Sequence, residues 1–243
     1  MTHIFLRVLW GAALFVSLIL SLLGVFQTPL LDRFDFLFLT TLLFLAALYR
    51  PGWIFLLLLA ILPFETISLS PLQSSFAIRP FQLAAIALML ALFLRFLVRR
   101  FSFPFSRVES SDALPVLFSI GVFGSAFASE PHDMFVRQSF IVLFFVALFF
   151  LSRQFLKRPE DARRIFPFLL LSILVTSAVA ILQSILFSRG FFSFEAMPGR
   201  PNAFFPEPDW LGMYLIVGIS ALLSALQFRE MRSRKGERRR KTD

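Results

Sequence analysis

The chain contains no cysteine, which excludes disulfides, thiolate metal sites and cysteine nucleophiles. It has only two histidines, His3 and His132, almost no material for a metal centre or a histidine base, and no cofactor or metal is expected. Charge is scarce too. Asp, Glu, Lys and Arg make up 16% of the 243 residues, against about a quarter in soluble domains, and they bunch between apolar runs. The alternating period of membrane β-barrel strands is missing. So are a soluble domain, a long linker and an internal repeat, the last counting against transporter folds built from duplicated halves.

What remains is apolar and aromatic: 58% of the residues are hydrophobic and 35 are Phe. Several runs are long enough for a hydrocarbon core of about 30 Å, which takes about 20 helical residues. The expected fold is all-α, a polytopic transmembrane helix bundle. Its eight spans are read at 8–26, 35–49, 53–69, 80–98, 113–129, 138–152, 165–187 and 210–227. The second and sixth are short. Tyr49–Arg50–Pro51–Gly52 separates the second from the third, and a re-entrant pair is the competing reading there.

Orientation follows from the basic residues of alternate loops. With the N-terminus inside, inner segments hold 19 of the 24 Lys and Arg, and the outer ones hold Arg33, Arg79, Arg137, Arg189 and Arg200. Both termini are therefore expected in the cytoplasm, with the first span a signal anchor rather than a cleaved signal peptide. The net charge of +9 lies in inner loops and not on a basic domain, so nucleic acid is not expected as a partner. Two domains follow: a transmembrane domain over 1–227 and a basic cytoplasmic tail over 228–243. That tail has eight Lys and Arg between Arg229 and Asp243, to lie on anionic lipid or to open a further cytoplasmic loop.

Two spans carry small-residue stripes. Ser172, Thr176, Ala180 and Ser184 recur every four residues, as do the pairs Gly121/Ser125 and Gly124/Ala128. Either set lets a partner backbone come close; a polar path through the bundle is the alternative.

One outer loop stands apart. Gly199–Leu215 reads GRPNAFFPEPDWLGMYL, with Pro201, Pro206 and Pro208 fixing the backbone around four polar side chains. Arg200 offers a planar fork matched to phosphate oxygens, near Phe191, Phe192, Phe194, Phe204 and Phe205. This setting suits the pyrophosphate and first sugar of a lipid-linked substrate, or else Arg200 snorkels to outer headgroups. Arg79, in Ile78–Arg79–Pro80–Phe81–Gln82, opens the fourth span from the same side. It would bracket the same pyrophosphate or serve as an interfacial anchor. Asn202 accompanies Arg200. Asp209 is placed to cap the eighth span, and Glu207 to hold an acceptor hydroxyl or pair with Arg200. Trp210 and Tyr214 are interfacial aromatics. Glu65, after Pro63–Phe64, reads as a boundary residue, and His132 as a solvated loop residue. No catalytic residue is identifiable.

The stretches Gly199–Arg200–Pro201–Asn202–Ala203–Phe204–Phe205 and Pro206–Glu207–Pro208–Asp209–Trp210–Leu211–Gly212–Met213–Tyr214–Leu215 resemble the O-antigen ligase/polymerase family of bacterial envelope glycosyltransferases. They look like its Arg-x-x-(Gly/Ala)-Phe and Pro-(Asn/Asp)-x-Leu-(Ala/Gly)-x-Tyr-Leu pattern, and the Pro63–Phe64–Glu65 and Ile78–Gln82 segments look like its front half. The resemblance implies a multi-pass protein of the bacterial inner membrane that takes an oligosaccharide from undecaprenyl pyrophosphate, without a metal, and passes it to a lipid or glycan acceptor. It implies that Arg200 holds the donor pyrophosphate. Family members also have about a dozen spans and a late outer loop with an essential histidine, which this chain does not match. It therefore reads as the front portion of such an enzyme, or as a non-enzymatic relative that binds lipid-linked sugar or a partner glycosyltransferase.

Overall fold

The computed structural model describes residues 3–26, 33–67, 69, 78–98, 110–128, 132–156, 159–188 and 200–240. The described residues form eight helices: α1 (His3–Phe26), α2 (Arg33–Tyr49), α3 (Pro51–Ile61), α4 (Pro80–Leu97), α5 (Ser110–Ala128), α6 (His132–Phe155), α7 (Pro159–Ser188) and α8 (Pro208–Arg240). No β-strand occurs among them, so the fold is all-α. Each helix stands where a span is expected. Among the described residues, α4 and the Glu160–Leu186 stretch of α7 are long and apolar enough to cross a membrane, while the remaining apolar helical stretches are shorter.

Several boundaries differ from expectation, three of them for an evident local reason. The third span, expected to run to residue 69, is helical only to Ile61. Pro63 has no N–H to donate and disfavours helical backbone at Leu62, so Leu62–Ile67 leave the helix and Glu65 lies outside the helical segment. The break before α3 is a single residue: Arg50 still donates its N–H to Ala46 (2.8 Å) and accepts from Trp53 (3.0 Å). Pro51 then starts α3 at the position where a missing N–H costs nothing. Lastly, α8 runs across residue 227 to Arg240 without interruption, so the start of the basic tail continues the last helix.

The chain divides into two compact units, and the division passes through α2, α3, α4 and α7. The first comprises Met1–Leu39, Leu56–Leu83 and Ile165–Asp243; the second comprises Thr40–Phe55 and Ala84–Arg164.

In the first unit, Ala13 of α1, Leu56 and Ala60 of α3, and Phe168 and Leu171 of α7 form a buried cluster. The Trp10 indole donates to the Pro167 carbonyl (3.4 Å) beside it. Three of the four α7 stripe residues pack: Ser172, Thr176 and Ala180 are buried, Ser184 is exposed, and the Ser172 hydroxyl meets the Tyr214 hydroxyl of α8. One turn further on, a Cβ added at Gly218 would come within 2.7 Å of Ile173 Cδ1. Gly218 thus lets α8 approach α7 closely.

In the second unit, α5 and α6 pair as neighbours. Ser139 donates to the Val122 carbonyl (3.4 Å), and Phe123 meets Phe140 edge-on at 5.8 Å. An ion pair between Asp112 and Arg153 joins the first turn of α5 to the last turn of α6. Each charge there complements its own helix dipole. The α5 glycine stripe is not the face used: Gly121, Gly124 and Ser125 are exposed, and nothing beyond the adjoining residues and backbone of α5 itself lies within 4 Å of a Cβ built on either glycine. Bulkier Val122 and Phe123 fill the contact with α6 instead.

Candidate functional site

The ends of α3 and α7 and the beginnings of α4 and α8 meet at one end of the first unit. These are four of the ends that the charge count assigns to the outer face. At their centre is the turn Asn202–Phe205. It closes with the Phe205 N–H donating to the Asn202 carbonyl (2.9 Å), and Ala203 takes a positive φ of 50°. A side chain in that left-handed region costs about 1–2 kcal/mol, so something else must hold the turn.

Gln183 of α7 holds it. Its side chain is fully buried, at 0% exposure, and its Oε1 accepts the Ala203 N–H at 2.7 Å. Its Nε2 donates to Asn202 Oδ1 (3.3 Å) and more weakly to the Ala203 carbonyl (3.4 Å). Asn202 completes the turn by donating from Nδ2 to the Phe205 carbonyl at 2.6 Å. Asn202 is itself only 4% exposed, so its amide shapes the turn from within.

The turn in turn anchors the non-helical segment after α3. The Phe204 carbonyl accepts the N–H groups of Glu65 (3.1 Å) and Thr66 (2.9 Å), and the Phe204 ring packs on Phe64 with centroids 4.6 Å apart. Phe205 lies against Tyr214 at 5.3 Å. Both phenylalanines of the turn are buried in the protein; Phe191, Phe192 and Phe194 lie outside the described residues, as do Arg189 and Gly199.

Two arginines are fixed to this scaffold. Arg79, just before α4, forms an ion pair with Glu65. Its N–H is capped by Gln82 Oε1 at 3.1 Å, and its carbonyl accepts the Leu83 N–H at 3.0 Å. Arg200, two residues before the turn, pairs with Asp209 at 2.6 Å. The pairs differ in setting. Side-chain exposure is 55% and 73% for Arg200 and Asp209, but 31% and 11% for Arg79 and Glu65. Burial raises the Glu65 pKa above its ordinary value of 4.5, and the charge and hydrogen bond of Arg79 offset this only in part.

The helix start differs from the expected cap. Pro208 is the first residue of α8 and Asp209 lies within its first turn, because proline is favoured at that first position. The Glu207 carbonyl accepts the Trp210 N–H at 3.2 Å. Asp209 therefore faces Arg200 while still favoured by the helix N-terminus. The Glu207 side chain is exposed. His132 begins α6 in the second unit, its side chain outside the described residues. Among the described residues, no group of three or more His, Asp or Glu could hold a metal ion.

Sequence reasoning singled out Arg200, Arg79, Asn202, Glu207 and Asp209, and all five lie on this turn or on segments joined to it. It gave no role to Gln183 and read Glu65 as a boundary residue. A lone amide within an apolar run has no spacing to mark it, since its partners are on another part of the chain.

Chemically, the arrangement presents two guanidinium groups on fixed backbone, one of them well exposed, beside carboxylates that they can exchange for another anion. Comparison with protein-family models, with characterised proteins and with solved structures gives no match to this chain.

Proposed function

We propose that this chain is an O-antigen ligase-like membrane protein, the N-terminal part of a glycosyltransferase. It would hold undecaprenyl-pyrophosphate-linked oligosaccharide at the outer face of the bacterial inner membrane for transfer to a lipid or glycan acceptor. In this reading the eight helices are eight spans with both ends cytoplasmic, and Arg200 and Arg79 share the donor pyrophosphate. Glu207 and Asp209 flank the acceptor side, and Asn202 acts by shaping the turn. The observation that carries the reading is the Gln183-held turn, which follows Arg200 directly and holds the backbone of Glu65, the partner of Arg79. Guanidinium forks are suited to phosphate oxygens. Fixed cations beside a leaving pyrophosphate would stabilise the charge that develops on it.

The test is glycan transfer in bacterial cells carrying the protein. Arg200→Ala is expected to abolish transfer while leaving the membrane level of the protein unchanged. Undiminished transfer by that variant would overturn the role of Arg200.

The runner-up is a non-enzymatic membrane protein that binds the same lipid-linked sugar or supports a partner glycosyltransferase. It is favoured by the make-up of Gly199–Leu215, which has one cation and two carboxylates but no histidine and no hydroxyl or thiol nucleophile other than Tyr214. Binding of the donor lipid without transfer would select it.

A further inference from the structure

The Glu65–Arg79 pair is more than a weaker-exposed copy of Arg200–Asp209. Asp209 lies in the first turn of α8, where the helix N-terminus favours a carboxylate whether or not an arginine is present. Glu65 lies on non-helical backbone and has no such support. Burial disfavours its charge by more than Arg79 restores. Its position is nevertheless fixed, because its own N–H and that of Thr66 are held by the Phe204 carbonyl. The Arg79 backbone is equally fixed, by Gln82 and Leu83. The Arg79 side chain, on a long flexible stem and 31% exposed, can turn towards an incoming anion; the more buried carboxylate cannot follow it.

We propose that Glu65 is a built-in competitor for the pyrophosphate group: it occupies Arg79 in the resting chain, and a lipid-linked diphosphate binds by taking Arg79 from it. The inference rests on the reading of Arg79 and Arg200 as a diphosphate site. Its consequence is a threshold. Every ligand that needs Arg79 is weakened by the same factor, so only one that offers the guanidinium more than a fixed carboxylate does, as a diphosphate does, binds at low concentration. Asp209 sets none, since its pair with Arg200 is exposed and such pairs contribute little.

The experiment titrates the full chain, in bilayer discs of neutral lipid, with undecaprenyl pyrophosphate, undecaprenyl monophosphate and inorganic pyrophosphate. Glu65→Gln keeps the shape and a hydrogen bond to Arg79 but removes the charge. It is expected to bind undecaprenyl pyrophosphate up to about fivefold more tightly than wild type, the scale of one partly exposed ion pair. Undecaprenyl monophosphate is expected to gain by a similar factor, its affinity staying below that of the diphosphate, because the same competitor is removed for both. Glu65→Asp retains the wild-type affinities, and in an Arg79→Ala background Glu65→Gln changes nothing. A gain seen equally with inorganic pyrophosphate places the competition at the headgroup, as proposed. Wild-type binding that is unchanged or weakened by Glu65→Gln overturns the competitor role and leaves the diphosphate site standing. No diphosphate binding by wild type or Glu65→Gln, with both folded by their thermal transitions, sinks the site reading itself and the competitor with it.

Discussion

Replacing Gln183 by Leu perturbs the loop without altering any charge or any residue near the arginines. Leu is close to Gln in volume and in helix propensity, so α7 itself is little affected. What is lost is the acceptor for the Ala203 N–H at 2.7 Å and the two longer contacts at 3.3 and 3.4 Å. A buried N–H left without an acceptor costs about 1–3 kcal/mol, and Ala203 is buried. The longer contacts are weak by geometry and together contribute less than about 1 kcal/mol. Ala203 also carries about 1–2 kcal/mol of backbone strain that these bonds offset. Opening of the turn should therefore become easier by about 2–3 kcal/mol, a factor of about 30 to 150. Backbone hydrogen exchange on the full chain in detergent reads this directly. The Ala203 and Phe205 amides should exchange faster by that factor in Gln183→Leu, while amides in the middle of α7 keep their protection. Exchange at Ala203 and Phe205 within threefold of wild type would refute the claim that Gln183 holds the turn.

Three further outcomes follow from the same geometry. Ala203→Gly relieves the positive φ and should raise stability by about 0.5–1 kcal/mol, visible as a higher thermal midpoint, whereas Ala203→Val should lower it; a lower midpoint for the glycine variant would contradict the strain. Because the folded-state pKa of Glu65 is raised above 4.5, the folded state binds the proton more tightly than the unfolded one. This group's contribution then falls as pH rises through the folded pKa and recovers as pH is lowered towards 4.5. Glu65→Gln should flatten that part of the stability profile, and an identical profile for the two proteins would count against the burial effect. With no native cysteine, labelling is free of background. Glu207→Cys should react with a membrane-impermeant maleimide on intact cells and Glu160→Cys only after permeabilisation, and the reverse pattern would invert the proposed orientation.

The helices were legible because long apolar runs leave few alternatives, and the charged breaks between them mark the ends. The end of α3 was legible in principle too, since Pro63 signals it, but the apolar residues beyond Pro63 continue the hydropathy of a span. Small-residue spacing marked faces on both α5 and α7 as places for close approach. Only α7 uses its stripe among the described residues, because a small-residue period says where a helix can pack and not whether a neighbour comes. At the site, the prolines and clustered charges of Gly199–Leu215 exposed the loop and Arg200, and the Arg-Pro entry to the fourth span exposed Arg79. The pairing of Arg79 with Glu65 and of Gln183 with Ala203 was not legible, for these contacts join segments that only the fold brings together. The same limit applies to Asn202: its residue type fits ligand recognition or a turn equally well, and its burial is set by Gln183 and Phe205.

The central claim, that this turn presents arginines to a lipid-linked diphosphate, is tested most directly by the affinity of the full chain for undecaprenyl pyrophosphate with and without Arg200. The account predicts measurable binding by wild type, weakened about tenfold or more in Arg200→Ala, as expected for loss of a charge-assisted contact of about 1.5–3 kcal/mol, with an unchanged thermal midpoint. Equal affinity of the two proteins would contradict it.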